Sequence, residues 1–247
     1  MCGWMKFLYC RKGVRRNHYN TKLEQYKTGN KLDIIERKKV VKEMIWFTSD
    51  MHLGHEKALD FTIRPWQQID EMNEGIIANI NAKVKKKDEL YILGDYSFRI
   101  PALEAAALRK KIICEKVHLV PGNHDKDWNH KLVEGTFIVE PPIKVLKENG
   151  RKFVLSHFPM MDWQSMSHES IHLHGHIHSQ GSLYNEMNRM QGVYRYDVGV
   201  DANNYTPVSM EEILTWFDGV ECHGRVKWKD WVNTTGDENV QRRLVGL

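Results

Sequence analysis

The stretch MIWFTSDMHLGH, Met44 to His55, sets a short apolar run directly against a loop rich in metal-donor side chains. Met44 to Ser49 reads as a buried strand, and Asp50, His52 and His55 follow it at once. Four further runs repeat this arrangement: GDYSFR (Gly94 to Arg99), GNHD (Gly122 to Asp125), SHFP (Ser156 to Pro159) and HGHIH (His174 to His178). Each closes a stretch with strand character, and open α/β sheets gather ligands at the loops after their strands. The donors are carboxylates, imidazoles and a carboxamide, so the expected site is a metal site.

Outward from Met44 the chain alternates. Apolar Met72, Ile76, Ile77, Ile80 and Val84 recur at helical spacing and predict a helix over Asp70 to Val84. Leu90 to Leu93 and Val117 to Val120 read as strands, Pro101 to Lys110 as a helix opened by proline, and Lys126 to Val133 as a short helix. Thus far the order is βαβαβα. Beyond it, Ile143 to Leu146 and Lys152 to Ser156 flank an Asn149-Gly150 turn signal and predict a hairpin. Ile171 to His174 and Tyr194 to Gly199 are the next strands. A helix near Met210 to Phe217 follows Ser209, with Glu212 placed for a capping box. Val226 to Trp231 reads as a last strand. The fold class expected is α/β, a sandwich of two mixed sheets in one domain over residues 44–247, with residues 1–43 as a basic extension.

The donors can be assigned roles from spacing alone. Asp50 and His52 alternate, so in an extended backbone both point the same way and clamp one ion. His176 and His178 repeat that spacing. Asp95, beside the small Gly94, is placed to bridge two ions through its two oxygens, which would bring dications to about 3.5–4 Å. His55 lies close enough to the first clamp to contact a bound phosphate.

These runs closely resemble the calcineurin-like metallophosphoesterase superfamily, whose pattern is DxH, GD, GNH followed by an acid, H, and GHxH. The match spans Asp50 to His178 and is complete at every ligand position. It implies a four-layer αββα sandwich and a dinuclear, metal-dependent phosphoric ester hydrolase. Asp50, His52, Asp95 and His178 would bind one metal, and Asp95, Asn123, His157 and His176 the other. Asn123 and His124 would also meet the substrate, with His124 protonating the leaving oxygen, and Arg99 stands where many members bind phosphate. The mechanism implied is in-line attack on phosphorus by a hydroxide bridging the two metals. Mixed N and O donors without thiolate suit Mn, Fe, Zn, Ni or Co.

One departure narrows the substrate. Protein phosphatases of the superfamily carry GDxxDRG, whereas here Phe98 occupies the second aspartate's place and Ile100 follows Arg99. Leu53 to His55 and the DVGVDANNYTPVS run, Asp197 to Ser209, look more like small stand-alone phosphoesterases of bacteria and phages. A phosphodiester is therefore the expected substrate class, with nucleotides, cyclic nucleotides or nucleic acid as candidates. A phosphomonoesterase or protein phosphatase is the alternative. A scaffold that has lost catalysis and a nucleic-acid-binding protein with incidental metals are weaker readings, because no ligand is missing.

Composition frames these expectations. With 247 residues, 41% of them apolar, the chain can bury a full core. No apolar run approaches the roughly 18 residues of a membrane span. The start MCGWMKFLYC lacks the pattern of a signal peptide, and Cys2, Cys10, Cys114 and Cys222 are scattered, so reduced thiols and a cytoplasmic location are expected. Residues 1–43 hold 12 Lys plus Arg against 4 Asp plus Glu, a net +8, which leaves −4 for the remainder of a chain whose total is +4. Such an arm either steers polyanions or is a solvated flank, and the flank is preferred for want of interleaved aromatics.

The isolated histidines His18, His118, His130, His168 and His223 read as surface or satisfied polar groups, whereas His172 and His174 could support the metal site from behind. Trp216, Trp228 and Trp231 are expected to pack rather than stack on a base.

Overall fold

A computed structural model of the protein describes residues 43–61 and 63–222. In chain order the elements are β1 (Ile45–Thr48), α1 (Ala58–Phe61), α2 (Ile69–Lys83), β2 (Glu89–Ile92), α3 (Ala102–Lys110), β3 (Lys116–Leu119), β4 (Ile138–Val139), β5 (Ile143–Glu148), β6 (Arg151–Ser156), β7 (Ile171–His174), α4 (Leu183–Met190), β8 (Arg195–Asp197), β9 (Val208–Ser209) and α5 (Met210–Trp216). Residues 1–42, His223, Trp228, Trp231 and the strand expected over Val226 to Trp231 lie outside the described residues.

The strands form two mixed sheets, ordered β4-β3-β2-β1-β9 and β5-β6-β7-β8. In the first, β1 to β4 run parallel and β9 is antiparallel. In the second, β6, β7 and β8 run parallel and β5 is antiparallel. Alternation along the strands fills both faces. Trp46, Leu90 and Ile92 face a core shared with Met72, Ile76 and Ile80 of α2 and Ala105 of α3. Phe47, Tyr91 and Leu93 face the other way, against Phe153, Leu155 and Leu173 of the second sheet and Ile213 and Phe217 at α5. Phe47 and Phe153 stack across that gap with centroids 6.3 Å apart, and each buried ring contributes about 2–3 kcal/mol.

The second sheet's outer face is polar. Ile171 and Leu173 of β7 point inward, so His172 and His174 point out, where Trp163 and Tyr184 of α4 cover them at 5.2 and 5.6 Å. His172 Nδ1 donates to the Val154 carbonyl at 2.9 Å, and its Nε2 accepts the Met160 N–H at 3.0 Å. His174 bonds the Gly175 carbonyl and the Tyr184 hydroxyl. Both rings are thus spent on packing α4 and the Met160 loop, and neither bonds a donor of the metal site. Burial depresses their pKa values to about 3 and about 4, keeping both neutral.

The expected hairpin forms as β5 and β6, with Glu148 opposite Arg151 and a two-residue turn in which Asn149 and Gly150 both have positive φ. The helix expected over Lys126 to Val133 does not form. Asp127 captures the Asn129 N–H with its side chain, and the following i to i+3 bonds at His130, Val133 and Thr136 make successive turns. Local side-chain bonding has outcompeted the helix, while buried Trp128 and Val133 anchor the segment. Trp216 packs edge-on against Tyr196, as expected. His118 is bonded through Nδ1 to Glu140 at 2.8 Å and stacked on Tyr91, while His130 and His168 are exposed. Cys114 and Cys222 are both free of disulfides. No helix among the described residues is long and apolar enough to cross a membrane.

Candidate metal centre

Parallel strands of both sheets end at one place. β1 leads into Asp50 and His52, β2 into Asp95, β3 into Asn123 and His124, β6 into His157, and β7 into His176 and His178. A bridge between Ser49 and Gly199, with the Val200 N–H bonded to the Ser49 carbonyl at 3.1 Å, joins the sheets at this edge. Close approach of the loops depends on glycine. Gly94 has φ +89°, and a Cβ there would run into His157 Nδ1 and the Gly122 backbone.

The alternation expected of an extended backbone is not how the side chains converge. Asp50, His52, Asp95, His176 and His178 all have φ between 47° and 73°, in the left-handed region. Such conformations cost non-glycine residues about 1–2 kcal/mol each and persist where surrounding bonds overdetermine them. Here the bonds are visible. Asp50 N–H donates to the Gly94 carbonyl, and His52 N–H to the Asp95 carbonyl. The Asp125 carboxylate accepts from the N–H groups of Asp95, Tyr96 and Gly122 at 2.8–3.1 Å, tying the loop after β2 to the loop after β3.

Donor atoms of Asp50, His52 and His178 lie within 4.8 Å of one another, as do those of Asp50, Asp95 and His157. His52 Nε2 faces His178 Nε2 at 3.2 Å. On the other side His157 Nε2 meets Asn123 Oδ1 at 2.9 Å and His176 Nδ1 at 3.2 Å. Asp95 stands between them but turns a single oxygen inward: Oδ2 is 3.4 Å from His52 Nε2 and 3.5 Å from His157 Nε2. Its Oδ1 accepts the His124 N–H at 2.9 Å, so Oδ2 is the Asp95 oxygen that faces both donor groups.

These donors suit cations. The Leu93 carbonyl, which only accepts, bonds His157 Nδ1 at 2.8 Å and so places the neutral ring's proton there, leaving a lone pair on Nε2. Asp201 Oδ2 does the same for His178 Nδ1 at 2.8 Å. Lone pairs therefore face lone pairs, at the 3.0–3.4 Å or so that separates neighbouring ligands around an ion about 2.1 Å from each. Asp50 Oδ2 accepts from Ser49 Oγ and the His176 N–H, whereas its buried Oδ1 has no hydrogen-bond partner among the described residues. An orphaned buried carboxylate oxygen beside imidazoles is what a bound dication would satisfy.

The electrostatics agree. Burial pushes the Asp50 carboxyl up to about 6 against the pull of His178 and His157. Burial and the neighbouring His178 hold His52 down at about 2, so the ring stays neutral at any working pH. Burial opposes charge on His178, yet the Asp201 hydrogen bond and the Asp50 charge raise its pKa overall.

The remaining expected residues lie at the rim. His124 is exposed, with its ring 5.7 Å from His52 and edge-on to Phe98 at 4.6 Å. His55 packs on Phe98 at 4.1 Å, and the exposed Arg99 guanidinium lies over that ring at 4.9 Å. His55 and Arg99 both line a cleft of about 390 Å³ with Lys57, Asn73 and Glu104. Arg64, Ser49 and Asp201 were given no role from sequence, and neither was Asp125, although it is the acid of the GNHD run. Asp201 sits in the DVGVDANN run, but nothing in that run marked it as the partner of His178.

A family model, calcineurin-like phosphoesterase, matches residues 44–242. The chain belongs to that family. A calcineurin-like phosphoesterase holds divalent metals for phosphoester hydrolysis, and the donor groups described above are of the kind it needs. Among relatives, an uncharacterised protein of Methanocaldococcus jannaschii is 29% identical over 171 residues, covering 69% of this chain and 89% of its own. The Gene 66 protein of Mycobacterium phage L5 is 28% identical over 191 residues, covering 64% of this chain and 86% of its own. A crystal structure of a protein of unknown function from Aquifex aeolicus shares the fold with TM-score 0.55 and 24% identity, over 70% of this chain and 98% of that one.

Proposed function

We propose that this calcineurin-like phosphoesterase hydrolyses a phosphodiester, of nucleotide type, at a centre of two divalent cations. The observation that carries the reading is Asp95 Oδ2, set between His52 and His157 at nearly equal distances, with a separate donor group on either side. Asp50, His52, Asp95 and His178 would hold one cation, and Asp95, Asn123, His157 and His176 the other; Mn, Fe, Zn, Ni and Co all suit these donors. Bound there, two dications would neutralise phosphate charge and bring the pKa of water toward neutrality.

The chain's own groups supply the rest. His124, exposed and pinned to Asp95 through its backbone N–H, is free to reach a leaving oxygen and protonate it. Arg99 and His55, lining one cleft, would meet the phosphate and the chain beyond it. Phe98 rather than a carboxylate lies against the His124 ring, which argues against a protein phosphatase. Half-exposed Phe158 stands 4.4 Å from His176 and offers a planar face to a base flanking the scissile bond.

The test is to titrate Mn, Ni, Zn and Fe into the metal-free protein and measure turnover of bis-nitrophenyl phosphate, nitrophenyl phosphate and 2′,3′-cyclic nucleotides. Activity on diesters with two equivalents of metal is expected. Turnover of the monoester alone would overturn the substrate assignment, and saturation at one equivalent the dinuclear one.

A further inference from the structure

A buried arginine outside every metal-donor run joins the Asp50–His52 turn to the residue behind His178. Arg64 is 5% exposed and sits in the TIRPW segment before α2. Its Nε and Nη2 form a fork on Asp201, each bond 3.0 Å. Nη2 also donates to the Asp50 carbonyl and Nη1 to the Met51 carbonyl, both at 2.7 Å, while a last contact reaches Met72 Sδ at 3.4 Å. The guanidinium has five N–H groups, and these five contacts use them all. Asp201 Oδ2, one of the forked oxygens, is the atom bonded to His178 Nδ1 at 2.8 Å.

We propose that Arg64 and Asp201 are a positioning pair that sets the geometry of one cation site, aiming His178 through its Nδ1 and locking the Asp50–His52 turn through its carbonyls. The proposal rests on the metal reading above and adds the residues that preorganise it. A buried ion pair is a poor source of stability, since desolvation of both charges offsets their attraction. This pair earns its place by geometry: one planar guanidinium holds the carboxylate of Asp201, 137 residues along the chain from Arg64, and the two carbonyls of Asp50 and Met51. Asp50 and His52 have positive φ, and the two carbonyls held by Arg64 lie within that same turn. Lysine has the charge but not the fork. The other donor group takes the orientation of its His157 ring from the Leu93 carbonyl instead, so the pair acts mainly on the group around His178, with Asp50 as the donor common to both.

The experiment is calorimetric titration of MnCl₂ into metal-free full-length protein, with the visible spectrum of the cobalt-substituted form as a second readout. Loss of a partner that orients a ligating histidine costs about 10–100-fold in metal affinity. Asp201→Asn and Arg64→Lys should each weaken one of two binding events by that factor and affect the other less, since Asp50 is the donor common to both groups. Excess metal should restore much of kcat with little change in KM. Asp201→Glu, which keeps the carboxylate, should recover part of the lost affinity and tests the same point should Asp201→Asn not fold. Arg109→Lys serves as a structural control: that buried arginine bonds only carbonyls after α3, so the variant should lower thermal stability and leave both manganese affinities intact. Wild-type affinities in folded Asp201→Asn and Arg64→Lys, beside a weakened His178→Ala, would overturn the positioning role alone. Unchanged affinity in His178→Ala would overturn the metal reading beneath it.

Discussion

At the scale of single residues, the centre is built from side chains whose backbones are held in an unfavourable region. Five of the seven expected ligands have positive φ, and the strain is sustained by carbonyls and carboxylates that capture their neighbours. His124 is the exception in kind, because its backbone is fixed by Asp95 Oδ1 while its ring is exposed and lies against Phe98. That ring bonds none of the donor side chains among the described residues. His124→Ala should therefore leave metal content near wild type and slow hydrolysis of an alkyl phosphodiester by about 10²–10⁴-fold. A nitrophenyl diester, whose leaving group needs no proton, should lose much less. Steady-state kinetics on the two substrates make the comparison, and equal losses would remove His124 from the acid role.

At the scale of elements, strands and turns were legible where a local rule acted alone. The Asn149-Gly150 turn and the Ser209 cap each follow from a few adjacent residues, and both are present as expected. The cap makes its own prediction. Ser209 Oγ accepts the Glu212 N–H at 3.1 Å while Glu212 Oε2 accepts the Ser209 N–H at 2.6 Å, so Ser209→Ala should cost about 1 kcal/mol of unfolding free energy in urea titrations without altering kinetics. Lys126 to Val133 misled because Asp127 bonded its own neighbourhood, a competition that apolar spacing does not register. The expected ligands were readable as donor residue types, yet their left-handed backbones were not, since only tertiary bonds impose them. Arg64 and Asp201 were hidden for a related reason: neither lies in a donor run, and their bond crosses 137 residues. Sequence thus named the donor groups that the strand ends bring together and missed the buried pair bonded behind His178.

At the scale of the whole molecule, charge and protonation are unevenly placed. Residues 1–43 carry +8 against −4 for the rest, so if the arm draws in polyanionic substrates, its removal should flatten the salt dependence of turnover on oligonucleotide diesters. Unchanged kinetics across salt would make it a flank. Protonation bears on the fold itself through the outer face of the second sheet. His172 is fully buried and its Nε2 must accept the Met160 N–H, so a proton there breaks a bond and charges a dry layer. Burial, followed by the neighbouring His174, lowers its folded pKa to about 3, whereas the unfolded chain titrates near the ordinary 6.5. Between those values the unfolded state binds a proton that the folded state refuses. Stability from this group is therefore complete above about 6.5 and drains away as pH falls toward 3, at about 1.4 kcal/mol per unit. Asp50, whose pKa is raised, acts in the opposite sense, so the wild-type curve alone mixes the two. The difference between wild type and His172→Gln isolates the histidine: urea unfolding of metal-free protein at pH 7 and pH 5 should show the variant losing about 2 kcal/mol less over that interval. Parallel curves would mean that His172 keeps an ordinary pKa and that the outer layer tolerates its charge.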